Sequence, residues 1–323
     1  MRERSLQSPE ERLLLNKLRS GDSDAWSEFI ERYRRLIWSA IHRVNGRYGA
    51  GYGNLIDQIT RYRTIATERA KRRDIGYIET STWLKISAVC RSALYDSMPT
   101  YIYGASQIGK TAALLEYQRR NNHGQTRYIR MPAAPTLPLF ISYMAEACYI
   151  STRHKHQELR RRIMQAIDDR TLVIVDEVHQ AMIGATDLGA RKLIEFVREI
   201  YDRTGCGIVM CGTKVLREEM ERGRQAMVYD QFRRRGMIDL VLPDAPPKSD
   251  ITKIAKAFGL GEPDAAAWEI IRDMLATSGI GKYIRYLQCA HGMAVSQNKP
   301  LAWDHYIQAS EKIAALNTKK RTR

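Results

Sequence analysis

Gly104, Gly109, Lys110 and Thr111 stand in the order Gly-x4-Gly-Lys-Thr inside the stretch YIYGASQIGKTAALLEY. Glycines let a backbone curl until successive N–H groups face one point, and such a nest holds an anion. A lysine at its end adds a full positive charge, and the hydroxyl that follows offers a hard oxygen to a divalent cation. Residues Gly104, Ala105, Ser106, Gln107, Ile108, Gly109, Lys110, Thr111 and Ala112 therefore read as a cradle for the phosphates of a nucleotide, with Lys110 reaching the β- and γ-phosphates. The mechanism needs a strand before the loop and a helix after it. The apolar run at 100–103 and the helical pattern at 110–120 supply both.

A second acidic signal lies downstream. TLVIVDEVH is a buried-strand run that ends in Asp176 and Glu177. An acid at the carboxyl end of a neighbouring strand can hold the shell of a Mg2+ ion, and a second can orient and deprotonate an attacking water. Asp176 takes the first role, together with Thr111, and Glu177 the second; the expected ligands are ATP and Mg2+. His179 in the same run is expected to be a bystander. Further on, GIVMCGT ends in Thr213, which either reports on the γ-phosphate or simply caps the next helix. YDQFRRR carries Arg233, Arg234 and Arg235. Arg233 is the candidate to reach the nucleotide of a neighbouring subunit, with the other two facing DNA or solvent.

These residues need a frame. Strands are expected at 100–103, 127–131, 172–176, 207–212 and 237–242, and helices at 110–120, 137–150, 157–168, 189–203 and 215–224. Strand–helix alternation implies a parallel sheet covered on both faces. Residues 1–75 read as a helical, basic and aromatic head, a further helix at 82–97 leads into the core at 76–245, and the proline-rich PDAPPKSD opens an all-helical region at 246–323 with a basic tail.

The whole order resembles the AAA+ ATPases: P-loop, strand, helix, Asp-Glu strand, polar residue after the fourth strand, arginine before the fifth, helical lid. Within them it is similar to the transposition ATPases of the phage Mu B and TnsC/TniB type. GASQIGKT has polar residues where many AAA+ proteins have Pro-Gly; CGTKVLREEM is similar to the segment after their Walker B strand; YDQFRRR is similar to their arginine box. NGRYGAGYGNLIDQITRYRTIATE and GYIETSTWLKISAVCRSAL resemble the Mu B stretch that joins a DNA-binding head to the ATPase. The resemblance covers residues 40–300. It implies an α/β P-loop AAA+ fold with a five-stranded parallel core sheet, a helical N-terminal head and a small helical C-terminal lid. It also implies ATP hydrolysis, assembly on double-stranded DNA as a homo-oligomeric ring or helical filament, and recruitment of a cognate transposase. In the lid, SGIGKYIRYL stands where the related pattern has Gly-x-x-Arg, so Lys282, or Arg285 one turn on, takes the second-sensor role. The first residues depart from the pattern, since LLNKLRSGDSDAWSEFIERYRRLIWSAIHRV is similar to a sigma-factor helix pair.

Composition agrees with a polyanion partner. The 323 residues carry a formal net charge of +16, which attracts nucleic acid, and the basic stretches at 61–73, 153–162, 222–235 and 319–323 are expected to meet its phosphates. No run approaches the roughly 18 apolar residues of a membrane span, and the N-terminus lacks the apolar core of a signal peptide, so a cytoplasmic location is expected. Cys90, Cys148, Cys206, Cys211 and Cys289 form no CxxC pair and are expected to be buried free thiols. An ATPase-switched transcription regulator and a helicase loader are the alternatives.

Overall fold

The computed structural model describes residues 76–121, 125–224 and 226–318. The expected head helices, and the basic stretches at 61–73 and 319–323, lie outside the described residues.

Five strands form one sheet: β1 (Pro99–Tyr103), β2 (Thr126–Arg130), β3 (Leu172–Asp176), β4 (Gly207–Gly212) and β5 (Ile238–Val241). The spatial order is β2-β3-β4-β1-β5 and every pairing is parallel. β3 (LVIVD) and β4 (GIVMCG) are buried at every position. Their near-continuous apolar character follows from helices on both faces, which leave no polar side for alternation. β5 lies at an edge and alternates between half-buried and exposed residues.

One face of the sheet packs Ile102, Ile174, Val209 and Cys211 against α1 (Ser81–Tyr95) and α2 (Lys110–Arg120). The other packs Tyr101, Tyr103, Val173, Val175, Ile208 and Met210 against α3 (Leu137–Ala147), α4 (His156–Ala166), α6 (Asp187–Thr204), α7 (Lys214–Arg222) and α8 (Ala226–Arg233). The strands fall within a residue of their expected ends. Two helices were not expected: α5 (His179–Gly184) and α8. Both are short. α8 is held by tertiary contact, because Tyr229 and Phe232, three residues apart, bury against the core, and Phe232 meets the Tyr101 ring edge-on at 6.3 Å.

The lid comprises α9 (Lys248–Ala257), α10 (Ala265–Ser296) and α11 (Trp303–Thr318) around its own apolar cluster. Asp250 of α9 is buried and accepts from the Ser81 backbone N–H at 2.9 Å and the Ser81 hydroxyl at 2.7 Å. It thereby satisfies a free donor at the N-terminus of α1 and joins lid to core. The sequence reading of one helical run is interrupted inside α10. Gly279 has φ 67° and ψ −177° there, a break that restarts the helix at Ile280. A Cβ at Gly279 would come within 2.7 Å of the Gln107 carbonyl oxygen, so close approach to the loop after β1 demands glycine at this point.

Candidate functional site

The strand order puts the carboxyl ends of β3, β4 and β1 side by side. The residues at these ends are therefore neighbours: Asp176 as the last residue of β3 with Glu177 after it, Thr213 after β4, and 104–109 after β1. In open parallel sheets ligands bind in such a crevice outside the carboxyl ends. Here Gln107, Gly109, Lys110, Thr111, Glu177 and Thr213 line one cleft of about 760 Å³, closed on its far side by Ser278, Gly281, Lys282 and Arg285 of the lid.

The loop itself is held in a strained, curled state. Gln107 has φ 64° and Gly109 φ 100°, both in the left-handed region. Lys110 is buried, and its ammonium donates to the carbonyls of Gly104 (2.9 Å) and Ala105 (2.7 Å). The charge is thus held at the mouth of the curl, where α2 begins and its free N–H groups add positive potential.

Asp176 is completely buried. Its Oδ2 accepts from the Thr111 hydroxyl at 2.7 Å and from the Tyr128 phenol at 2.9 Å, and its Oδ1 accepts from the Glu177 backbone N–H at 2.8 Å. Glu177 adopts φ 58°, a left-handed conformation uncommon outside glycine, and places its half-buried carboxylate in the cleft. His179 Nε2 lies 3.3 Å from Glu177 Oε2, and the Arg130 guanidinium lies 3.9 Å from Oε1. His179, expected to be a bystander, is therefore in contact with the acid. Burial lowers the pKa of His179 below the usual histidine value, an effect larger than the opposing attraction of Glu177, so the ring is neutral near pH 7.

Thr213 occupies the N-cap position of α7 yet makes no side-chain cap hydrogen bond. Its hydroxyl oxygen is buried without a hydrogen-bond partner among the described residues. The helix-cap reading of this residue therefore has no bond to stand on, and the orphaned hydroxyl belongs to the cleft. On the lid side Lys282 donates to the Ser278 hydroxyl at 3.2 Å and lies over the Tyr286 ring, while Arg285 is exposed on the cleft wall. Both second-sensor candidates thus reach the same space.

The arginine segment behaves differently. Arg233 pairs with Asp239 of β5 at 3.3 Å and Glu221 of α7 at 3.6 Å. Arg234 pairs with Asp230 at 2.6 Å, and Arg235 pairs with Asp202. None of the three lines the cleft of its own chain.

Tyr128, Arg130 and the His179 contact escaped sequence reasoning. A period-two pattern places Tyr128 and Arg130 on one face of β2, but only the pairing of β2 with β3, in the register Tyr128↔Ile174 and Arg130↔Asp176, brings them to the acids. Among the cysteines, Cys90, Cys148, Cys206 and Cys211 are buried free thiols as expected; Cys289 is exposed and lines the lid side of the cleft. No group of three or more His, Cys, Asp or Glu residues suited to a metal occurs among the described residues.

Residues 95–220 match the protein-family model described as AAA domain. No curated protein sequence matches the chain. Among solved structures, the ORC2 protein of Aeropyrum pernix, determined in ADPNP–ADP complexes, is 17% identical, covers 75% of this chain and 72% of its own, and superposes with a TM-score of 0.53. The Walker-type ATPase PABY2304 of Pyrococcus abyssi is 13% identical, covers 74% of this chain and 75% of its own, and has a TM-score of 0.47. The fold is that of the AAA+ P-loop proteins, and the chain is an ATP-hydrolysing P-loop ATPase.

Proposed function

We propose that this ATPase binds duplex DNA in its ATP-bound state and regulates DNA transposition, assembling as a homo-oligomer on target DNA and recruiting a cognate transposase. The observation that carries the ATP-dependent part is the cleft, where Lys110, Thr111, Glu177 and Thr213 of the core face Lys282 and Arg285 of the lid. A nucleotide that engages both sides couples its own state to the position of the lid, and hence to any neighbour the lid touches. The transposition part rests on the sequence resemblance of CGTKVLREEM, YDQFRRR and the residues before β1 to the Mu B and TnsC/TniB type.

The residues fit a Mg2+–nucleotide. Thr111 lines the cleft and its hydroxyl donates to Asp176 buried behind it, so the two would supply the hard oxygens that hold a Mg2+ ion. The orphaned Thr213 hydroxyl awaits a polar partner. When bound there, the ion would offset charge that builds on the phosphate oxygens. Lys110 exchanges its two carbonyl partners for phosphate oxygens. Glu177 takes a proton from water as the water oxygen attacks the γ-phosphorus and ADP leaves. Thr213 donates to the γ-phosphate, and Lys282 or Arg285 binds it from the lid. Arg233 acts on the nucleotide of an adjacent copy once it leaves Asp239 and Glu221.

Charge supports DNA as the partner. Residues 1–75 hold 16 Lys and Arg against 10 Asp and Glu, and 319–323 hold four Lys and Arg and no acid. Contacts to phosphates give affinity without base reading. Fluorescence anisotropy with two unrelated duplexes, with and without ATP and at several salt concentrations, tests the reading. Binding should require ATP, rise steeply with protein concentration, differ little between duplexes, and lose affinity with a slope of about −0.9 per phosphate contact in log K against log salt. Tight, ATP-independent binding to one duplex alone would replace this reading with a promoter-reading regulator.

A further inference from the structure

Asp176, buried behind Thr111, accepts three hydrogen bonds, and one of its donors has no place in the reaction outlined above. The Tyr128 phenol reaches Asp176 Oδ2 at 2.9 Å from β2, while the Thr111 hydroxyl reaches the same oxygen at 2.7 Å from α2. The two donors come from different elements and grip the carboxylate from two sides. They are not equivalent. Thr111 stands in the first turn of α2 and lines the cleft. Tyr128 stands on a strand in the core, its ring packed against the apolar face beneath α1 and α2, and does not line the cleft.

We propose that Tyr128 is a positioning residue for the Mg2+–nucleotide site, holding the plane of the Asp176 carboxylate so that its oxygens keep their aim when Thr111 turns its hydroxyl oxygen to the ion. The inference rests on the reading of Asp176 and Thr111 as the Mg2+ pair. Asp176 is wholly buried, so no solvent replaces a lost donor, and a buried carboxylate oxygen short of a hydrogen bond rotates to find another. Donors behind a metal-binding acid fix its orientation, and losing one typically weakens metal binding by about 10- to 100-fold. The ring and the hydroxyl do separate things. The ring fills core volume, which phenylalanine keeps; the hydroxyl alone meets Asp176.

The test uses the full chain with Tyr128→Phe and a slowly hydrolysed ATP analogue, followed by calorimetry first in EDTA and then across a Mg2+ titration. The expected result is an affinity in EDTA within about twofold of the wild type, with a Mg2+ half-saturation concentration raised by about 10-fold or more. Electron paramagnetic resonance of Mn2+ bound with the analogue should report the same weakening without any turnover. An unchanged half-saturation in the folded variant overturns the proposal, as does an equal loss of affinity in EDTA, which would make Tyr128 a support of the whole loop. If the wild type itself gains nothing from Mg2+, the underlying metal reading fails instead, a distinguishable result. Should Tyr128→Phe not fold, 3-fluorotyrosine placed at residue 128 of the otherwise native chain serves. Its fluorine resonance should move when Mg2+ joins the bound analogue and not when the analogue binds in EDTA, and a resonance indifferent to Mg2+ rejects the idea.

Discussion

The cleft and the arginine segment at 233–235 are both dense in polar groups, yet they are built in opposite ways. In the cleft, polar groups are left in hand. Thr213 has a buried hydroxyl without a partner, Arg285 is exposed on the wall, and Lys110 is held only by two backbone carbonyls of its own loop. In the arginine segment each guanidinium is already matched to an acid of the same chain: Arg233 to Asp239 and Glu221, Arg234 to Asp230, Arg235 to Asp202. The same holds on α4, where Arg161 and Arg162 share Glu158 and Arg160 meets Glu199. Runs of arginine in a sequence are therefore not runs of free positive charge. Part of the positive charge expected to face DNA at 153–162 and 222–235 is paired with acids of the same chain.

Breaking the cleft should have the largest effect. Lys110→Ala removes the ammonium that donates to the Gly104 and Ala105 carbonyls, and among the described residues no other cation donates to them. Calorimetric affinity for ATP should fall by about 100-fold or more, the scale of a lost close charge pair in a partly desolvated site. Wild-type affinity would remove the phosphate-cradle reading.

Breaking the arginine segment should do less in the isolated chain and more in the assembly. Arg233→Ala frees Asp239 and Glu221 and should cost about 1 kcal/mol in urea unfolding, because the pairs are partly solvated. ATP binding by the monomer should be untouched, while hydrolysis in the assembly is lost. Glu177→Gln should also bind ATP but hydrolyse it about 10²- to 10⁴-fold more slowly. Mixing the two variants should restore activity, through interfaces that pair an intact arginine with an intact acid. Absence of restoration at every ratio would confine Arg233 to the ion pairs seen here.

The smallest effect sharpens the boundary between the two regions. His179 is kept neutral by burial beside Glu177. Its folded pKa lies below the unfolded value of about 6.5, so the unfolded chain takes up a proton first as pH falls. Its contribution to stability is therefore complete above about pH 6.5 and declines as pH drops through the folded pKa. Urea midpoints measured from pH 7.5 to 5.5 should fall more steeply for the wild type than for His179→Gln; parallel curves would show that the ring titrates alike in both states.

The residues of the candidate cleft were legible in local sequence because its parts are local. Gly104 to Ala112 is one loop, Asp176 and Glu177 are adjacent, and buried parallel strands announce themselves as apolar runs that end where the chemistry begins. α5 and α8 were not legible, because six- and eight-residue helices carry too little periodicity and exist through contacts such as Phe232 on Tyr101. Nor was Gly279 legible as the point where the lid meets the loop at Gln107.

By itself the sequence determined which residues form the loop and the acidic strand end, since the anion nest and the hard-oxygen donors follow from residue type and spacing within a few positions. Tertiary structure alone decided that β2 lies beside β3, so that Tyr128 rests on Asp176 and Arg130 near Glu177. It alone decided that the arginines at 233–235 spend their charge on acids up to 33 residues away in the chain, such as Asp202 for Arg235. The reason is physical. A backbone nest is made by neighbours along the chain, whereas the partner of a side chain is whatever the packing of the sheet and its helices brings within hydrogen-bond reach.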